Sequence, residues 1–228
     1  PPATVAFRIT DNANVAVPAK ITMQALDAAG VPLEGDGTRR PYLGDGRLSN
    51  GVRHIRQTSS GRGEMWVEPG RYRITVSRGP EYGIHVVNDI TLAPRAVFKL
   101  DATLIRQIDT SGWLSADMHL HSTPSFDSGM PLPRRVRAVA AEGVDLAISS
   151  DHDVISDYLP TIKGLGLVPY LAHANGAEIT TLEQAHFIGF PMSFDNQIVP
   201  TKGAHDWTCQ PGGDIIAGIL ATGDGIVP

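Results

Sequence analysis

One cysteine, Cys209, stands among 228 residues. That excludes an intrachain disulfide and any cysteine cluster around zinc, and the thiol itself reads as a small buried hydrophobe. The sequence also lacks an apolar run near the roughly 18 residues that a membrane-spanning helix needs. Basic residues are outnumbered, 19 against 24 acidic ones, and are not clustered, so the net charge of −5 leaves no footprint for a nucleic-acid backbone. Nucleic acid is not an expected partner. No G-x-S-x-G elbow offers a serine nucleophile, and no phosphate-cradling glycine motif is present. An initiating methionine is missing too. The start Pro1-Pro2 fits a trimmed piece or a mature form that has lost an export signal, which puts an extracytoplasmic location slightly ahead of a cytoplasmic one.

What is present changes character near residue 110. Before it, "TVAFRIT" alternates Val5, Phe7 and Ile9 with polar neighbours, and "RYRITVS" does the same with Tyr72, Ile74 and Val76. Glu68-Pro69-Gly70-Arg71 reads as a type II turn that makes a hairpin of "GEMWV" and "RYRITVS". "GIHVVNDITL" and "AVFKLDATLI", joined through Ala93-Pro94-Arg95, add two strands, and the glycine-rich segment 34 to 63 reads as one long loop. Residues 1–110 are therefore expected to form a β-sandwich domain. After Gly112, strand and helix alternate. "LPRRVRAVAAEG" puts Leu132, Val136, Val139 and Ala140 on one helical stripe that stops at Gly143, and "VDLAISS", "GAEIT" and "QAHFIGF" are strand-length runs. Residues 111–228 are expected to open an α/β unit.

Six of the eight histidines lie in this second part. His119 and His121, two apart in "SADMHLHSTPSFDS", share a strand face, so their imidazoles can converge on one ion. His152 follows the strand "VDLAISS", Glu178 lies in "GAEIT" and His186 in "QAHFIGF". Imidazole and carboxylate without thiolate suit zinc, iron or manganese in a catalytic site. The bland alternatives are specific. His54, His85 and His173 read as satisfied core residues, Asp127 taken alone as a turn aspartate, and Trp66, Trp113 and Trp207 as core or rim aromatics.

The ordered set "DMHLHSTPSFDSG", "AISSDHD", "GAEIT" and "AHFIGF" resembles the polymerase and histidinol phosphatase (PHP) family of metallohydrolases across residues 111 to 190. The wording "GWLSADMHLHS" after a β-rich leader is similar to its carbaryl-hydrolase-like branch. The resemblance implies an α+β two-domain protein, an N-terminal β-sandwich followed by the first half of a distorted (β/α)7 barrel. It implies two or three divalent ions (Zn, Mn or Fe) held by His119, His121, Asp127, His152, Glu178 and His186, with Glu178 bridging two ions and Asp127 and His152 holding a third. Asp151 would orient His152 and, with Glu178, serve catalysis. The expected reaction is hydrolysis of a phosphoester, carbamate, amide or ester bond in a small-molecule substrate. The family's later histidine and Asp-x-His pair are missing, so the chain is expected to be the amino-terminal part of a longer protein. Otherwise a homo-oligomer completes the site, or the site is degenerate. His205-Asp206 is the candidate for the next motif, and a rebuilt ligand set would draw on His205, Asp206 and Asp214. The rival class is a binding or adhesion protein whose β-domain recognises a surface or glycan beside a degenerate metal domain.

Overall fold

Strand alternation organises the first part of the chain. The computed structural model describes residues 1–33, 51–182 and 184–222, and these divide into two units, Pro1–Gly112 with Ala140–Gly143, and Trp113–Val139 with Val144–Pro228. Seven strands build the first unit: β1 Ala3–Asp11, β2 Ala19–Ala25, β3 Val52–Thr58, β4 Arg62–Val67, β5 Gly70–Ser77, β6 His85–Leu92 and β7 Val97–Leu104. They form two sheets, ordered β4-β1-β7 and β3-β2-β5-β6. Every second residue is buried, Val5, Phe7 and Ile9 in β1, Ile21 and Met23 in β2, Ile74 and Val76 in β5, so each sheet has one apolar face, consistent with a β-sandwich.

Two local readings of this unit are corrected. Glu68-Pro69-Gly70-Arg71 does not close a hairpin, because β4 pairs with β1 whereas β5 pairs with β2 and β6. Gly70 lies outside the left-handed region, the Tyr72 hydroxyl donates to the Glu68 carbonyl at 2.8 Å, and the corner carries the chain from one sheet to the other. The segment 34 to 63 is not all loop, since β3 and the start of β4 fall within it; residues 34–50 lie outside the described residues.

After Gly112 the chain forms β8 Ala116–Leu120, α1 Leu132–Ala141, β9 Leu146–Ser149, α2 Leu159–Gly164, β10 Ala172–Ala174, β11 Ala177–Thr180, β12 His186–Gly189 and α3 Gly212–Ala221. Val136, Val139 and Ala140 are the buried stripe of α1, and Gly143 takes the positive φ of a helix stop. Strands β8, β9 and β10 form a parallel sheet in the order β10-β9-β8. Beyond this sheet the expected first half of a (β/α)7 barrel does not form. β11 pairs antiparallel with β12 as a separate ribbon, and strand outweighs helix over the structure, 39% to 13%. The apolar side of the ribbon packs into a core with Ile155, Met192, and Ile215 and Ile219 of α3. Among the described residues no helix is long and apolar enough to cross a membrane.

Gly61, between β3 and β4, has φ +66°, and a Cβ there would fall 2.5 Å from the Ile9 carbonyl oxygen and 2.7 Å from that of Val17. Both neighbours are backbone and cannot swing away. Gly61→Ala is therefore expected to cost about 2 kcal/mol or more in urea denaturation, while Gly129→Ala, with open space around it, stays within about 0.5 kcal/mol of the parent.

Candidate metal centre

Three stretches of chain, 119–127, 152 and 178–186, deliver the site. Pairing of β8 with β9 slips between Asp117 and Leu120, where three steps along β8 match two along β9. Such a bulge re-aims the side chains within it. His119 sits in the bulge and His121 just beyond the strand, and both Nε2 atoms reach the same carboxylate oxygen, Glu178 Oε2, at 2.9 and 3.1 Å. Glu178 comes from β11, which a parallel bridge between His152 and Glu178 holds against the chain leaving β9. The Glu178 N–H donates to the Asp151 carbonyl at 3.2 Å, and the Asp153 N–H donates to the Glu178 carbonyl at 2.9 Å. In the ribbon, His186 lies opposite Thr180, and its Nδ1 is 2.5 Å from Glu178 Oε1. Gly176 lets the chain entering β11 lie against the ends of β9 and β12, since a Cβ there would fall 2.6 Å from the carbonyl oxygens of both Ser149 and Gly189.

The Ser-rich turn after His121 brings in the remaining pair. The Ser125 hydroxyl donates to Asp127 Oδ1 at 2.7 Å, accepts from the His152 backbone N–H at 3.1 Å and lies 3.0 Å from His121 Nδ1. Asp127 Oδ2 is 3.4 Å from His152 Nε2. Donation from Ser125 holds the Asp127 carboxyl below the usual carboxylate range, with His121 and His152 pulling the same way.

The six residues fall into three overlapping groups whose donor atoms lie within 4.8 Å of one another: His119, His121 and Glu178; His121, Asp127 and His152; His152, Glu178 and His186. That is close to the separation of about 3 to 4 Å between two donors that each bind one ion at about 2.1 Å. All donors are imidazole nitrogens or carboxylate oxygens, so the cluster can hold metal ions. His121, His152 and Glu178 each belong to two groups and have side chains between 3 and 16% exposed; His119, Asp127 and His186 belong to one each and are between 45 and 59% exposed.

No family model matches the chain, and no curated protein does. Solved structures with some likeness include a 3-chlorocatechol 1,2-dioxygenase from Rhodococcus opacus 1CP, at 10% identity and TM-score 0.31 over 47% of this chain and 60% of that one. A candidate adhesin from Bacteroides ovatus matches at 15% identity and TM-score 0.28, over 46% of this chain and 45% of its own. The TIE protein of Bacillus anthracis matches at 12% and 0.29, over 56% and 20%. The chain thus spans less than two thirds of each of these proteins, and likeness this slight bears on neither fold nor function.

Several residues take parts that the sequence did not assign. The carboxylate of Asp151, fully buried, accepts from the Ser122 backbone N–H at 2.5 Å and faces the Ser122 hydroxyl at 3.2 Å, so it fixes the His121–Ser122 backbone and does not orient His152. Thr180 does that instead, its hydroxyl hydrogen-bonding His152 Nδ1 and leaving Nε2 to face Asp127. His205 and Asp206 stay out of the cluster. The His205 ring packs against Gly218 of α3 and meets Gln210 at 2.8 Å, while Asp206 accepts from the Thr208 N–H within its own turn. Asp214 lies in the first turn of α3, where a carboxylate suits the helix dipole. His173 is the core histidine expected, stacked on Tyr158 with its pKa pushed down by burial. Cys209 is exposed, contrary to its reading as a buried hydrophobe; of the tryptophans read as core or rim, Trp66 and Trp113 are largely exposed, while Trp207 packs against the core and donates to Asp153 Oδ1 at 3.0 Å.

Thr180→Val keeps the shape of the side chain and removes the hydroxyl on His152. Metal affinity measured by chelator competition is expected to fall about tenfold with little change in folding. Asp151→Ala should act the other way, lowering stability by about 2 kcal/mol because a buried N–H loses its acceptor.

Proposed function

We propose that the chain is a metal-dependent hydrolase related to the PHP family. It acts on a phosphoester, carbamate, amide or ester bond of a small molecule, with two or three Zn, Mn or Fe ions held by His119, His121, Asp127, His152, Glu178 and His186. The observation that carries this reading is the Glu178 carboxylate, buried yet within 3.1 Å of imidazoles from three positions, His119, His121 and His186. A histidine kept only for core packing does not gather with two others around one carboxylate.

Divalent ions in these groups would lower the pKa of water towards neutrality and polarise a carbonyl or phosphoryl oxygen. The chain's own residues supply orientation. Glu178 offers one oxygen to His119 and His121 and the other to His186, so a single side chain sets the spacing of two of the groups. The Thr180 hydroxyl holds the His152 ring, and Ser125 holds Asp127 against the same ring. Phe126, stacked on His152 at 4.5 Å and largely exposed, screens one face of that imidazole from water and offers an apolar surface beside it.

Elemental analysis after reconstitution with zinc, manganese and iron is expected to find bound metal. p-Nitrophenyl phosphate, p-nitrophenyl acetate and p-nitrophenyl N-methylcarbamate should between them reveal turnover that a chelator abolishes and metal restores. Glu178→Gln should lower both occupancy and rate on the order of 100-fold, and His119→Ala should lower occupancy. Protein that takes up no transition metal, or whose turnover is indifferent to Glu178→Gln, would overturn the assignment.

A further inference from the structure

The outer face of the sheet β4-β1-β7 takes no part in the metal centre, and its register sets side chains across it in rows. Trp66, Thr4 and Val97 form one row; Glu64, Ala6 and Lys99 form the next. Rows follow at about 7 Å, two residues of rise, and strands at about 4.8 Å. Ala6 presents only a methyl group, so the second row dips between its two long charged neighbours. With Arg8 and Asp101 beyond them, these residues line an open groove of about 380 Å³.

Two features of this face are not accounted for by stability. Trp66 is 76% exposed and Val97 66%, flanking Thr4 on the row next to the groove, so neither contributes its surface to the core. Glu64 and Lys99 have no hydrogen-bonded or ionic side-chain partner among the described residues, because the strand carrying Ala6 holds them about 10 Å apart. Arg8, by contrast, is turned to Asn14 Oδ1 at 2.6 Å.

We propose that this face binds a neutral oligosaccharide, with one sugar ring stacked on Trp66 and its neighbour seated over Ala6 between Glu64 and Lys99. A sugar ring has a face of C–H groups, which packs on an indole, and an edge of hydroxyls, which donate to a carboxylate and accept from an ammonium. The rows supply these two kinds of contact in succession. The groove carries two cationic residues, Arg8 and Lys99, and two anionic ones, Glu64 and Asp101, so it gives no net preference for a charged ligand. A second copy of this chain is a poorer occupant, since seating it would strip water from all four charges over the roughly 800 Å² per partner of a stable interface.

The test uses the whole chain, titrated by calorimetry and tryptophan fluorescence with cellohexaose, xylohexaose and mannohexaose, and with polygalacturonate as the charged comparator. At least one neutral hexasaccharide is expected to bind saturably, equally well with and without chelator. Trp66→Ala, Ala6→Leu and Lys99→Ala should each weaken it at least tenfold with unfolding midpoints unchanged. Failure of all three neutral sugars, binding of polygalacturonate alone, or binding that survives Trp66→Ala and Lys99→Ala would overturn the proposal. So would a concentration-dependent dimer, seen by sedimentation, that Trp66→Ala dissolves. Because metal removal leaves the sugar titration untouched, this outcome is independent of whether the chain hydrolyses anything.

Discussion

Burying a carboxylate as deeply as Glu178 costs several kcal/mol unless hydrogen bonds and opposite charge replace the water it loses. In this chain the replacements are imidazoles, and they come from β8, from the segment after β9 and from β12. That requirement governs the local fold of the second unit. The bulge in β8 turns His119 in, the His152–Glu178 bridge sets the height of β11, and the ribbon register brings His186 back to within one side chain of Thr180. All three features, the bulge, the bridge and the ribbon register, lead to the same carboxylate.

Behind the donors stands a second set of hydrogen bonds that fixes loops and not ligands. Asp151 ties down the backbone at Ser122, and the Tyr158 hydroxyl reaches the same serine at 3.4 Å. Asp153, at a positive φ, accepts from the Thr180 N–H and the Trp207 indole at 3.0 Å each. The loops on either side of His152 are thus tied through adjacent acidic residues, one to the turn after β8 and one to the ribbon. Partners of this kind hold the backbone from which the clustered side chains project, and their loss is felt first in stability, because a buried donor is left without its acceptor.

The residues that cluster were legible in the sequence because their signal is local: His-x-His, Asp-His and Gly-x-Glu each lie within a few residues of one another, at or near strand ends. How those elements join was not. Glu68-Pro69-Gly70 carries every mark of a turn and does turn the chain, yet whether β5 then lies beside β4 or crosses to the other sheet depends on β1 and β2, some fifty residues away. The barrel expectation failed for the same reason. "GAEIT" and "QAHFIGF" have the length and composition of strands and are strands, but nothing within them says that β11 and β12 pair antiparallel with each other and do not extend the parallel sheet. Thr180 and Ser125 escaped notice because hydroxyls in strands and turns are common, and only the fold shows which imidazole each one meets.

The division of the six donors between buried and exposed follows their sharing. His121, His152 and Glu178 each serve two groups, so they must present donor atoms in two directions, which is met only where the side chain is surrounded. His119, Asp127 and His186 each serve one and can close their group from the solvent side. An ion in any of the three groups would therefore be held from below by donors that cannot move without disturbing a second group, and from above by one that can. That asymmetry leaves the outer side as the open one, and it makes the inner three behave as one unit: a change at any of them reaches two groups, whereas a change at an outer residue stays within its own.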